Sequence, residues 1–202
     1  MNRIPRWAVA SAVAAPVLLI GGWTIAETRQ PAGYNAVRDT ISALAARGAT
    51  DRWVMTSALA GLGICYVVTA CGLGRARPPG RALLVAGGMA TVLVAAFPQP
   101  VRGNSVAHTV AATAAFVSLA VWPVFGTRRG SDSRLLGVLP SVAATASLLG
   151  LIAWFAAEIH GGQRGLAERC AAGSESLWPL AVVLTTRRAL GRQPAPAPTR
   201  TR

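Results

Sequence analysis

Lysine is absent, and charge of either sign is scarce. All 20 basic residues are arginine, against 7 acidic residues, and only 13% of the 202 residues are charged. A soluble domain carries about 25%, so this composition excludes an ordinary water-soluble fold. The missing lysine reads as GC-rich coding and points to a bacterial source rather than to function, since arginine keeps its charge at any working pH. Cysteine is scarce and odd in number: Cys65, Cys71 and Cys170. Cys65 and Cys71, six apart in one apolar run, point in different directions on a helix. A disulfide framework and a metal cluster are therefore not expected, and the three read as small buried apolar residues. There is no Gly-rich phosphate loop, no G-x-S-x-G, no CxxC and no H-x-x-x-H or H-E-x-x-H. With two histidines and those spacings missing, no metal and no cofactor is read. The net charge of +13 suggests nucleic acid, but no aromatic-plus-basic stripe accompanies it, and no nucleic-acid partner is expected.

What is present is apolar length. Hydrophobic residues make up 52% of the chain, gathered in runs at about 7–26, 54–73, 82–97, 106–125 and 136–157. A membrane helix needs roughly 20 such residues. Pro16, Pro123 and Pro140 inside them are tolerated in membrane helices. The runs are crowded with Ala and Gly, as in "SALAGLGICYVVTACGLG" and "VAGGMATVLVAAF". Helices pack in lipid by close approach of small residues, so a compact bundle is expected. Trp7, Trp23, Trp53, Trp122 and Trp178 fall near proposed helix ends and read as an aromatic belt.

The arginines decide how many times the chain crosses. Arg3 and Arg6, Arg75, Arg77 and Arg81, Arg128, Arg129 and Arg134, and Arg187, Arg188, Arg192, Arg200 and Arg202 fall on one side, with Asp132 as the one acid among them. The other side holds Arg29, Arg38, Arg47, Arg52, Arg102, Arg164 and Arg169 and the remaining six acids. Arginine-rich short loops stay in the cytoplasm, which places both termini there and demands an even number of crossings. The stretch "GLAERCAAGSESLWPLAVVLTTRR" must therefore span as well, at about 166–186. At 1.5 Å per residue that is about 31 Å. The tail over 191–202, Pro-rich and basic, is expected to be disordered.

A sixth span beginning there carries carboxylates into the bilayer. Glu168 and Glu175, seven apart, share a face, with Glu168 near the outer interface and Glu175 about 10 Å deeper. An ionised carboxylate in lipid costs a few kcal/mol or more unless paired or watered. Glu175 is therefore expected to face the bundle interior, either carrying its proton or hydrogen-bonded by Ser, Thr or Arg. The first outer loop, Glu27 to Trp53, contains "YNAVRDTISALAARG". Val37, Ile41 and Leu44 fall on one helical face and Asp39 and Ser42 on another, which predicts a short amphipathic helix at the interface. His108 opens the fourth span on the same side. The candidate polar pocket is thus Asp39, Ser42, Arg52, His108, Glu168, Arg169 and Glu175.

The stretches "RDTISALAARGATDRWVM", "FP" with a following "HT", "GLAER" and a later "WPL" resemble the bacterial membrane proteins of domain-of-unknown-function family 998. The resemblance covers nearly the whole chain. It implies six membrane helices, and matches at Asp39, Ser42, Ala43, Leu44, Asp51, Arg52, His108, Gly165, Glu168, Arg169 and Trp178. The family name carries no activity.

The expectation is an all-α, polytopic bundle of six transmembrane helices in one domain (1–190) of the cytoplasmic membrane, with the bilayer as its partner. Its polar pocket opens outward and binds or moves a lipid or small amphiphile. Two alternatives stand beside it. One is an intramembrane acid–base enzyme acting on a lipid or isoprenoid, with Ser42 the only loose candidate for a nucleophile. The other is a non-catalytic scaffold or accessory subunit, in which Arg52 and Arg169 neutralise Asp39 and Glu168.

Overall fold

A computed structural model of the protein describes residues 4–101, 103–129 and 133–191. Every regular element is helical. The order is α1 (Arg6–Glu27), α2 (Ile41–Leu44), α3 (Trp53–Gly72), α4 (Pro78–Ala96), α5 (Val106–Phe125), a 3-10 turn (Arg134–Leu136), α6 (Val138–Ala157) and α7 (Arg164–Gly191). Arg3, Arg102 and Asp132 of the charge count, and positions 192–202 of the expected tail, lie outside the described residues, whereas Gly191 belongs to α7. The fifth run starts two residues later than its apolarity suggests, because Arg134–Leu136 forms the 3-10 turn and Gly137 separates it from α6.

The six long helices form a closed ring. Each packs on the next, α1 on α3, then α4, α5, α6 and α7, and α7 closes the ring against α1. Chain direction alternates around it. The links 28–52, 97–105 and 158–163 meet at one end, where Arg47 N donates to Gln99 O and Leu166 N to Val37 O. The links 73–77 and 126–137 meet at the other, where Arg77 N donates to Gly126 O and Arg128 N to Leu136 O. The one-turn helix α2 caps the first end and touches α1, α3 and α7.

Small residues set the ring's tightness. A Cβ on Gly63 would lie 2.5 Å from the Gly88 carbonyl oxygen, and one on Gly88 would lie 2.6 Å from that of Gly63, so α3 and α4 touch backbone to backbone. Inside are Leu19, Leu59, Leu62, Tyr66, Leu84 and Trp122. Outside, Val17, Ile64, Leu93, Val110, Leu139 and Leu149 are exposed. A rim of aliphatic side chains around a core that contains carboxylates reverses the soluble pattern. α1, α3, α4, α5 and α6 are each long and apolar enough to cross a membrane. α7 is not among those five. Its 28 residues reach from the α2 end to Thr185 beside Ser133 at the other, but Arg164, Glu168, Arg169 and Glu175 lower its hydropathy.

Three local expectations change. The helix expected from Val37 onward is only Ile41–Leu44. Asn35 Oδ1 accepts from Val37 N and Arg38 N at 2.9 and 3.3 Å, an Asx turn that competes with helix, and Thr40 then caps α2 by accepting from Ala43 N at 3.1 Å. Val37 is exposed, while Ile41 and Leu44 enter the core. Trp122 is fully buried inside the ring and belongs to no belt, and none of the three cysteines is fully buried: Cys65 and Cys170 are half-buried and Cys71 is exposed.

Candidate functional site

Under α2, three side chains from distant segments form one chain of hydrogen bonds. His108, in the first turn of α5, has Nδ1 2.9 Å from the Phe97 carbonyl and Nε2 3.2 Å from Ser42 Oγ. Ser42 Oγ donates to Glu168 Oε1 at 3.1 Å, and Ile41 N donates to Glu168 Oε2. Each position has a local cause. Ser105 Oγ accepts from His108 N at 3.2 Å and starts α5 there. The Thr40 cap orients Ser42. Gly165 lets α7 approach the loop, since a Cβ there would lie 2.6 Å from the Ala36 carbonyl oxygen.

The proton count of this chain is restrictive. A carbonyl only accepts, so His108 carries a proton on Nδ1. Ser42 has one proton to give. All three groups are satisfied in two arrangements: imidazolium to hydroxyl to carboxylate, or carboxylic acid to hydroxyl to neutral imidazole. Both carry zero net charge, which suits a group 4% exposed such as Glu168.

Glu175 lies two turns further along the same face of α7 and is 2% exposed. Its Oε1 has no hydrogen-bond partner. A cavity of about 60 Å³ inside the ring touches both carboxylates together with Ser42, Tyr66 and Thr91. A cavity needs about 10–15 Å³ of such space to hold a water, so this one has room for water.

A second, larger space adjoins it. A groove of about 460 Å³ between α5 and α6 shares Ser42, Ala112, Phe116 and Glu168 with the inner cavity. Its α2 end is polar, with Thr40, Gln99 and His108. Further along, Phe116, Val117 and Ile152 make it apolar. The rings of Phe116 and Phe155 meet at a tilt of 51°, 5.6 Å between centroids. Thr109, Thr113, Val117, Ala156 and Ile159 on its walls are exposed, so the groove opens on the flank of the ring.

The structure therefore brings Ser42, His108, Glu168 and Glu175 together, and places Asp39, Arg52 and Arg169 elsewhere. Asp39 Oδ2 accepts from Asn35 N at 2.7 Å, and Arg164 stands 4.0 Å from its other oxygen. Arg52 stacks on Trp53, 4.1 Å from the ring centre, on the α3–α4 side. Arg169 turns away from Glu168. Its Nε donates to Glu27 Oε1 at 3.0 Å, its Nη1 to the carbonyls of Ala36 and Asp39, both at 2.8 Å, and its Nη2 to the Tyr34 hydroxyl. Burial pushes the Tyr34 phenol above its ordinary range while Arg169 pulls it back. Glu27, Tyr34 and the Phe97 carbonyl escaped sequence reading. Their partners lie far away in the chain, and a backbone carbonyl leaves no mark in composition. Glu168 and Glu175 form no ion pair, and no cluster of three metal-ligating side chains occurs, among the described residues.

Such a ring, apolar outside and polar at a flank-opening groove, defines a multi-pass helical membrane protein. The chain belongs to the family described as "Protein of unknown function (DUF998)", whose sequence model matches residues 13–185. No curated protein and no solved structure matches it.

Proposed function

We propose that the protein crosses the cytoplasmic membrane six times, with both termini in the cytoplasm and the α2 end outside, and that it binds or moves a lipid or small amphiphile in the α5–α6 groove. The observation that carries this reading is the groove's polarity gradient. Its hydrogen-bonding end offers Ser42, His108 and Gln99 to a headgroup, its apolar end fits a hydrocarbon tail, and its side opening gives access from lipid. About 460 Å³ lies within the size range of ligand pockets. The neutral relay under α2 favours an uncharged, hydroxyl- or amide-bearing headgroup over an ionic one. Among the described residues Glu168 and Glu175 lack arginine partners, which speaks against a scaffold held by Arg–acid ties.

The test is ligand-dependent thermal stability of the purified protein against a panel of neutral and charged lipids, repeated with Ala156→Trp, which fills the groove from an exposed position. A neutral amphiphile raises the wild-type melting temperature and leaves the Trp variant unmoved. A panel in which no lipid stabilises the wild type contradicts the reading.

A second reading rests on one observation. In the carboxylic-acid arrangement, where the imidazole is neutral, Ser42 has a base beside it: His108 Nε2 at 3.2 Å, with Nδ1 held by the Phe97 carbonyl. Nucleophile, base and orienting group are the parts of covalent catalysis. Here Ser42 Oγ attacks an ester carbonyl of a lipid, His108 takes the hydroxyl proton and returns it to the departing alcohol, and water then cleaves the acyl-serine. Covalent labelling by a fluorophosphonate that disappears in Ser42→Ala supports this reading. Labelling that persists in the variant removes it.

A further inference from the structure

The α3–α4 face carries a second groove, of about 740 Å³, which has no part in the arrangement above. It is lined by Arg47, Arg52 and Trp53 at the α2 end, and by Ala60, Val92 and Ala96 along the helices. No carboxylate lines it. The nearest acid in sequence, Asp51, pairs with Arg29 at 3.6 Å instead. Two residues that line this groove, Arg52 and Thr56, each have a polar atom, Nη1 and Oγ1, buried without a hydrogen-bond partner. A buried guanidinium N–H left unpaired costs free energy, and an anion would relieve it. Guanidinium binds phosphate through a planar fork. Trp53, 67% exposed, opens α3 at the α2 end, and exposed indoles at the ends of membrane helices favour the interface. Below it, the small side chain of Ala60 beside Val92 leaves a furrow between α3 and α4, with Ala96 at its upper edge.

We infer that this face is a binding site for one anionic phospholipid, its phosphodiester held by Arg47 and Arg52 beside Trp53, and an acyl chain laid along Ala60, Val92 and Ala96. The site is independent of the α5–α6 groove and does not require it to be occupied. Charge and furrow act together: the arginines select a phosphate without a compensating cation, and the furrow selects a lipid over a free ion.

The experiment is native mass spectrometry of the full chain released from micelles containing phosphatidylglycerol or phosphatidylcholine of matched acyl chains. Wild-type protein is expected to retain one phosphatidylglycerol at least tenfold more often than phosphatidylcholine. The preference collapses in Arg47→Gln and in Arg52→Gln. The Arg47 side chain is exposed, so its variant folds even if that of Arg52 does not. Ala60→Trp, which blocks the furrow and leaves both arginines, abolishes retention too. Equal retention of the two lipids overturns the proposal. So does a preference that survives Arg47→Gln, or a stabilisation by millimolar inorganic phosphate that equals the one given by phosphatidylglycerol.

Discussion

The Ser42 hydroxyl donates to the Glu168 carboxylate at 3.1 Å across 126 positions of chain. With the Ile41 amide on the other oxygen, this contact fastens the one-turn helix α2 to α7 and roofs the ring. Glu168→Ala leaves the buried Ile41 amide and the part-buried Ser42 hydroxyl without their carboxylate acceptor, at roughly 1–3 kcal/mol each. A chain of this size loses about 2–4 °C per kcal/mol, so the variant is expected to melt 5 °C or more below wild type in detergent. Glu168→Gln keeps an acceptor for one donor and falls between. Thermal melts of the three proteins check the order.

Arg169 is a tie rather than a ligand. One guanidinium serves Glu27, Tyr34 and the carbonyls of Ala36, Asp39 and Gly165. A lysine ammonium keeps the charge but not the fork. Arg169→Lys should therefore release the 28–52 loop, and limited proteolysis should cut that loop at least several-fold faster than in wild type. Equal cleavage rates would mean that the loop is held by other contacts.

The α3–α4 seam is set by Gly63 and Gly88. Gly63→Ala forces the helices apart at the Gly88 carbonyl and is expected to cost 1–3 kcal/mol, the range for overpacking. Gly74→Ala is the control, because a Cβ there meets nothing within 4 Å. Denaturation midpoints measured side by side should separate the two. A Gly63→Ala variant as stable as Gly74→Ala contradicts the backbone-to-backbone contact.

The inner cavity needs its carboxylate turned inward. Glu175→Leu replaces an unpartnered buried carboxyl with a group of similar size and should raise stability or leave it unchanged, while Glu175→Lys should abolish folding. Expression and melting temperature in detergent decide. Strong destabilisation by Leu would reveal a polar partner essential to Glu175.

Much of the ring was legible in the sequence, for a physical reason. Five apolar runs report their own solvent, and their bounds fall within a few residues of the helices. α7 is different. Its hydropathy is too low to mark a span, and only the sidedness of the arginines called for it, because charges that face a ring interior count against a helix in any average. The site was half legible. Ser42, His108 and Glu168 meet as their common end of the bundle suggests, and Glu175, two turns deeper, shares only the inner cavity with Ser42 and Glu168. Asp39 and Arg52 do not, because an Asx turn at Asn35 replaces the helix that would have placed Asp39 and Ser42 on one face, and α3 points Arg52 at the opposite seam. Loop conformation depends on such single hydrogen bonds, which periodicity does not encode.

Everything rests on α7 crossing the membrane with Glu168 and Glu175 inside the ring. Single cysteines at His160→Cys and Leu190→Cys, on a background without Cys65, Cys71 and Cys170, test it in intact cells with a membrane-impermeant maleimide. The account predicts labelling at 160 from outside and at 190 only after the membrane is opened. Labelling of both positions from the same side contradicts it.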